Sequence, residues 1–202
     1  MKSFLCAFVA AASFLTFPAQ AGMPGVPDDG QLDFTVLRNG SPIGNIQFSF
    51  ESQASHIIVR VRSRILYTLL SLPLYRYEHD STEVWSQGRF QTMSSKTNDD
   101  GKNLDLDVKA AEGGVLATLN GKTERLDQVT MPASLWNPAT YKADVLVDTS
   151  TGKRLDIDGE AKDGYFTLSG ELKRELRYDE SGLLQGVRFT ARDGSEIRYV
   201  RE

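Results

Sequence analysis

The chain has 202 residues, of which 23 are Lys or Arg and 27 are Asp or Glu, and its net charge at neutral pH is −4. Acidic and basic residues are interspersed, which is typical of a solvated surface. A nucleic-acid-binding protein normally carries a basic patch; this sequence has none, so we expect no nucleic-acid partner. The lone cysteine is Cys6, so the chain beyond it offers no disulfide and no thiolate ligand or nucleophile.

The first 21 residues have the pattern of a cleavable secretory signal peptide. Lys2 provides the positive start, an apolar stretch covers 4–17, and Ala19-Gln20-Ala21 is the small-x-small sequence that signal peptidase cleaves. The apolar stretch is shorter than the roughly 18–20 residues that a membrane-spanning helix needs, and no later stretch is longer. We therefore predict a signal peptide at 1–21, export to the periplasm and no membrane span.

Residues 22–31, rich in glycine and proline, are predicted to form a flexible N-terminal segment, and residues 32–202 a single β domain. Asn39-Gly40 and Asn120-Gly121 are typical of tight hairpin turns, although we expect Ser41-Pro42 to enlarge the first of them. Between the turns, apolar and polar residues alternate with the period of two that indicates a strand. In chain order, strands are predicted at 32–37, 46–50, 57–61, 104–108, 115–119, 122–126, 165–169, 172–178, 183–189 and 197–200.

Little helix is expected. The stretch 131–136 is predicted to form one or two helical turns, with Pro132 near its start and Pro138 ending it. The stretch 65–72 has a helical composition but equally fits a continuation of the preceding strand. Short strands at this spacing indicate a mainly β fold, a curved antiparallel sheet or incomplete β-barrel with one or two short helical turns.

The densest group of functional side chains lies between residues 75 and 85. On a strand, Tyr75, Tyr77 and His79 project to one face because side chains alternate. Such aromatics can line a cleft and hold a ligand by stacking and hydrogen bonds. Equally, they fit an ordinary core face whose polar tips find backbone partners, and the sequence leaves both interpretations open.

A hydrolase is one alternative function. His79 would act as general base, oriented by Asp80 or Glu83, but Asp80 faces the opposite side of a strand. No serine has the G-x-S-x-G surround of a nucleophile elbow, so this hydrolase would need an unrecognised nucleophile or a water molecule. With His56 and His79 as the two histidines and no later cysteine, we expect neither a metal site nor a cofactor.

The stretch 66–74 is unusually apolar for a connection between strands. One interpretation is that it forms a wall or lid of an apolar cavity, and the other is that it plugs the open end of a curved sheet. Trp136, on its short proline-bounded turn, would plug a second edge in the same way.

Several short motifs resemble a family of exported bacterial proteins classed as a domain of unknown function. They are Tyr75-x-Tyr77-x-His79 with Glu83-x-Trp85, Gly88-Arg89, Thr97-x-Asp99-Asp100-Gly101, Pro132-Ala133-Ser134-x-Trp136, Asp148-Thr149-x-Thr151-Gly152, Tyr178-Asp179-x-x-Gly182-x-Leu184 and Asp193-Gly194-Ser195. The likeness spans most of residues 32–200, with Arg177 standing where the family pattern leads us to expect a tryptophan. The resemblance implies a half-barrel similar to periplasmic lipoprotein carriers, and it assigns no reaction or ligand.

The sequence thus favours a non-enzymatic periplasmic protein that binds a hydrophobic or lipid-like molecule on the concave face of its sheet. The alternatives are a structural or partner-binding envelope protein, and the hydrolase centred on His79 and Glu83. The expected partners are correspondingly a hydrophobic small molecule or lipid, or an envelope protein. The candidate ligand-binding residues are Tyr75, Tyr77, His79, Glu83, Trp85 and Trp136.

Overall fold

The computed structural model describes residues 23–53, 55–70, 72–162 and 164–202. The predicted signal peptide lies outside these described residues. Across the ranges that are described, no helix combines the length and the apolar character needed to cross a membrane.

The described residues form one antiparallel sheet of fourteen strands. The strands are β1 (Gln31–Arg38), β2 (Ser41–Gln53), β3 (His56–Leu69), β4 (Leu72–Ser86), β5 (Arg89–Asp99), β6 (Lys102–Ala111), β7 (Gly114–Leu119), β8 (Lys122–Asp127), β9 (Val145–Val147), β10 (Arg154–Lys162), β11 (Tyr165–Gly170), β12 (Arg174–Tyr178), β13 (Leu184–Thr190) and β14 (Glu196–Arg201).

The sheet is an incomplete barrel. Its order runs from β8 down to β1 and then from β14 down to β9. The first and last strands of the chain, β1 and β14, therefore pair with each other. β8 and β9 remain as the two edges. The predicted fold class is therefore confirmed.

The tight turns follow their local sequences. Asn120 and Gly121 both have positive φ angles, 48° and 80°, as a two-residue type I′ turn requires. Asn39 and Gly40 adopt the same conformation, with φ angles of 47° and 82°, and β2 begins immediately at Ser41. The expectation that Ser41-Pro42 enlarges this turn was wrong, because the irregularity is a register shift between Val36 and Leu37 instead.

The one helical element among the described residues is a 3₁₀ helix at Pro138–Lys142. The side chain of Asn137 caps it by accepting a hydrogen bond from the backbone N–H of Ala139 at 2.9 Å. The predicted position, 131–136, was wrong. Pro138 begins the helix rather than ending one, since the fixed φ of proline suits the first helical turn.

Residues 128–153, between β8 and β10, lie across the concave face of the sheet; we call them the crossing segment. The Ser95 hydroxyl on β5 donates a hydrogen bond to the carbonyl oxygen of Thr149 at 2.7 Å. On β12, the Tyr178 hydroxyl donates to the carbonyl oxygen of Leu135, also at 2.7 Å. Because β5 and β12 belong to opposite halves of the sheet, the crossing segment joins the two halves.

The crossing segment fills the space that the sheet encloses. Its completely buried apolar residues are Val129, Trp136, Leu146 and Val147. A Cβ atom on Gly159 of β10 would lie 1.8 Å from the carbonyl oxygen of Tyr141, so this glycine permits the close approach of the 3₁₀ helix. The concave face, where the sequence analysis placed a ligand, is occupied by the protein's own side chains.

The N-terminal turns before β1 also contact the crossing segment. Gly25 is buried, and a Cβ atom there would lie 2.4 Å from the carbonyl oxygen of Trp136. The predicted flexibility of 22–31 is a property of motion and stays a prediction.

Candidate functional site

A buried carboxyl group lies at the centre of the molecule. Alternation along β4 turns Glu83 and Trp85 toward the interior. Oε1 of Glu83 accepts a hydrogen bond from the Ser134 hydroxyl at 2.7 Å. Oε2 accepts hydrogen bonds from the indole N–H groups of Trp85 at 2.8 Å and of Trp136 at 3.2 Å. One side chain of the sheet thus holds two residues of the crossing segment.

The surroundings of Glu83 are apolar and aromatic. The Trp85 and Trp136 rings pack edge to face with centroids 5.5 Å apart, and Phe50 packs on Trp136 in the same manner at 5.3 Å. Glu83 is 1% exposed, and burial raises the pKa of its carboxyl group, while the three hydrogen bonds act in the opposite direction. A buried carboxyl group of this kind is tolerated because each oxygen has a donor.

A second polar group lies further along β4 toward the β3–β4 turn. Nδ1 of His79 is 2.8 Å from the Thr97 hydroxyl, and the His79 ring stacks on that of Tyr77 with centroids 6.1 Å apart. The Tyr77 hydroxyl is 2.9 Å from the Ser150 hydroxyl of the crossing segment. Burial lowers the pKa of His79 to about 4, so its imidazole is neutral at physiological pH.

His79 and Glu83 do not form a catalytic pair in this structure. Four residues along one strand separate them by about 13 Å, and each hydrogen-bonds with its own partners. Both are almost completely buried, at 5% and 1% exposure. Glu83 therefore attaches the crossing segment to the sheet, whereas the hydrogen bond of His79 joins β4 to β5.

The six candidate residues are divided among three places. Glu83, Trp85 and Trp136 meet in the core, and Tyr77 and His79 lie beside Ser150. Tyr75 lies apart from both groups, where its hydroxyl donates a hydrogen bond to Oδ1 of Asp99 at 2.8 Å. Burial, and then this hydrogen bond, raise the pKa of Tyr75.

Beyond Tyr75, the β3–β4 hairpin extends past the residues of β2 and β5 with which it pairs. The last partner of β3 on β2 is Gly44, opposite Ile65, and the last partner of β4 on β5 is Asp99, opposite Tyr77. The described residues at the end of this hairpin, 66–70 and 72–75, are here called the leucine hairpin. Their strand partners all lie within the β3–β4 hairpin itself. Its exposed leucines are Leu66 at 49%, Leu69 at 53%, Leu70 at 90%, Leu72 at 65% and Leu74 at 52%.

Sequence reasoning singled out this apolar stretch but expected a lid or a plug. The structure shows a projection, because β3 and β4 are longer than the strands beside them. Ser134 was missed as a partner of Glu83. The sequence feature that pointed to Ser134 was its position two residues before Trp136, whose indole N–H needs a hydrogen-bond acceptor when it is buried.

Two surface hollows, of about 520 Å³ and about 510 Å³, lie on the convex side of the sheet. The first is bordered by outward-facing residues such as Thr82, Ser94 and Asp107, and the second by Arg177, Arg188 and other residues of β11–β14. Neither opens into the core around Glu83.

The Glu83 hydrogen bonds generate a stability prediction. Glu83→Ala leaves two indole N–H groups and a hydroxyl without their acceptor, so we expect the free energy of unfolding to fall by about 3 kcal/mol. Glu83→Gln keeps one oxygen for the indoles and offers an N–H to Ser134, so we expect a change within about 1 kcal/mol. Urea unfolding followed by tryptophan fluorescence measures both. Equal losses in the two variants would show that the charge, not the hydrogen bonding, holds the crossing segment.

His79 generates a prediction for pH dependence. An unfolded histidine takes up its proton near pH 6.5, whereas folded His79 does so near pH 4. Between these values the unfolded state binds more protons, so the stability of the protein falls as the pH is lowered, by up to about 3 kcal/mol at pH 4. We expect His79→Asn to flatten this part of the curve. His56→Asn, which replaces an exposed histidine, is the control. Identical slopes in wild type and His79→Asn would contradict the prediction.

Comparison with known proteins supports the fold and the family. No curated protein matches the chain. Among solved structures, it is similar to the crystal structure of a beta-barrel-like protein of domain of unknown function DUF1849 from Brucella abortus. The TM-score is 0.59 and the identity 10%, over 85% of this chain and 94% of that one, a likeness that shows the fold alone. The family described as domain of unknown function DUF6134 matches residues 34–202. The predicted relationship to an uncharacterised half-barrel family is confirmed, and the chain belongs to the DUF6134 family.

Proposed function

We propose that this protein is a non-enzymatic binder of hydrophobic or lipid-like molecules, and that its contact surface is the leucine hairpin. The observation that carries the proposal is the exposure of five leucines, between 49% and 90%, among the nine described residues of this hairpin. The stretch from Ile65 to Tyr75 contains no charged residue.

Such exposure has a cost that binding would offset. Fully burying an exposed leucine side chain contributes about 1.5–3 kcal/mol, and a half-exposed leucine gains about half of that. Contiguous apolar patches on soluble proteins mark interaction sites more often than chance. Strand pairing across the hairpin, from Leu66 with Arg76 to Leu69 with Leu72, holds the leucines in place, so the surface is preformed.

The packing of the interior supports an external site over an internal one. Trp136, Leu146 and Val147 of the crossing segment are completely buried against the concave face. A lipid-sized molecule there would have to displace the crossing segment and break the hydrogen bonds to Glu83 and Ser95.

The alternatives receive less support. A partner-binding protein would use an exposed strand edge or the leucine hairpin as its contact. Of the edges, β8 exposes Lys122, Glu124 and Arg125, and charged edge residues oppose strand addition. The hydrolase would need substrate access to His79 and Glu83, which are almost completely buried.

We also propose that the protein acts in the periplasm after removal of residues 1–21. The support is the sequence pattern of that stretch alone. When the full-length protein is expressed in a Gram-negative host, we expect to find it in the periplasmic fraction. Its intact mass should equal that of a chain that begins at Gly22. A cytoplasmic product that retains Lys2 would contradict this proposal.

Binding of a monomeric amphiphile tests the function. We expect the fluorescence of a dansyl-labelled undecanoic acid to rise and shift to the blue on mixing with the protein, because the dye enters an apolar surface. The triple variant Leu69→Ser, Leu70→Ser, Leu72→Ser should bind at least about tenfold more weakly. The matched control is Leu116→Ser with Val200→Ser, which removes exposed apolar residues elsewhere. Equal loss in the control, or no binding by the wild type, would overturn the proposal.

A further inference from the structure

We infer that the leucine hairpin inserts into the surface of a phospholipid bilayer. This inference rests on the proposed function and names its partner. The observations behind it are the distribution of leucines around the hairpin, the residues at its base and its length.

The hairpin is apolar on both of its faces. Leu66 and Leu69 are three residues apart on β3, an odd spacing that places them on opposite faces. The pairing irregularity between Tyr67 and Thr68 skips Leu74 of β4 and adds no residue to β3. Both are about half exposed, and Leu70 at the turn is 90% exposed. A groove on a protein, or a second copy packed face to face, covers one face of a hairpin and leaves the other in water. A bilayer surrounds the tip and covers both.

The base of the hairpin carries amphipathic rings. Tyr67 and Tyr75 are cross-strand partners near the base of the hairpin, with Leu66 on their sheet side and the other four exposed leucines toward the tip. Tyrosine is enriched at the boundary between hydrocarbon and headgroups. The guanidinium carbon of Arg38 lies 4.1 Å from the centroid of the Tyr67 ring. The arginine thus lies at the level where lipid phosphates would be.

Charges of both signs surround this base, where Asp99 accepts a hydrogen bond from the Tyr75 hydroxyl and three ion pairs lie nearby. Arg38 pairs with Asp193, Arg76 with Glu78 at 2.6 Å, and Arg64 with Asp80 at 2.6 Å. Paired charges of both signs complement a zwitterionic headgroup, which also carries both. We therefore expect binding to neutral phosphatidylcholine, driven by the leucines, without the salt dependence of a basic patch.

The length of the hairpin suits shallow insertion. Three residues separate Leu70 from Tyr67, about 10 Å of extended chain, which matches the depth of about 5–10 Å for interfacial apolar segments. Deeper insertion is opposed because the outer backbone groups of the hairpin have no neighbouring strand, and unpaired backbone groups are costly in hydrocarbon.

Flotation with phosphatidylcholine vesicles tests the inference on the mature protein. We expect the wild type to float with the vesicles and Leu70→Asp to lose binding by at least about tenfold. Leu116→Asp, a change of the same kind at a half-exposed leucine on the convex side, should bind like the wild type. Raising NaCl from about 50 mM to about 500 mM should change binding less than about twofold. Circular dichroism and thermal unfolding verify that both variants are folded.

A depth measurement gives a second readout that does not depend on loss of binding. In Leu70→Trp, the new indole should shift its emission to the blue with vesicles and be quenched by brominated acyl chains. The native Trp85 and Trp136 are buried, at 2% and 0% exposure, so we expect vesicles to change their emission little. Leu116→Trp is the matched control, and we expect it not to respond to vesicles.

The outcomes separate this inference from the proposed function. If the dansyl fatty acid binds but vesicles do not, the bilayer is not the partner and the proposed function stands. If neither binds, both fail. If the protein does not bind vesicles and the wild type is a dimer that Leu70→Asp converts to a monomer, the hairpin is a contact between copies and the inference is overturned.

Discussion

A carboxyl group without water must have hydrogen-bond donors, and this requirement at Glu83 organises the interior. The donors are Trp85 from its own strand and Ser134 and Trp136 from the crossing segment. Satisfying Glu83 therefore places the crossing segment against the sheet. Apolar packing of the two indoles and Phe50 then makes the arrangement dense.

Once the crossing segment is in place, the curved sheet no longer encloses free space. An incomplete barrel with an empty concave face would be a natural container for an apolar ligand, but here the chain supplies its own filling. The hydrogen bonds of Ser95 and Tyr178 to crossing-segment carbonyls show that both halves of the sheet take part. Among the described residues, the interior therefore leaves no room for a ligand, and a binding site is expected on the surface.

On the surface, the leucine hairpin differs from the other turns. The turns at Asn39-Gly40 and Asn120-Gly121 are short, polar and made of residues that favour positive φ angles. The β3–β4 turn has Leu70 with a φ angle of 51°, a conformation that leucine seldom adopts. An apolar residue in an unfavourable conformation at an exposed tip is consistent with selection for contact rather than for folding alone.

Local sequence was sufficient for ten of the fourteen strands and for the Asn-Gly turns, because alternation of apolar residues and the φ preference of Asn-Gly act over a few residues. The predicted strands did not include β4, β5, β9 and β10. The identity of the inward-facing side chains on β4 also followed from alternation. The helix was predicted at 131–136 but lies at 138–142, because a proline is compatible with either the end or the beginning of a helix. The packing of the helix beside Gly159 decides between the two positions.

Contacts between distant parts of the chain could not be read in this way. Glu83 and Ser134 are 51 residues apart, and Tyr77 and Ser150 are 73 apart; no local pattern pairs them. The apolar stretch at 66–74 was visible in the sequence, but whether it covered a cavity or projected into solvent depended on where β2 and β5 end. Composition and periodicity established the β architecture and the apolar stretch, whereas burial, partner choice and projection depend on which strands become neighbours.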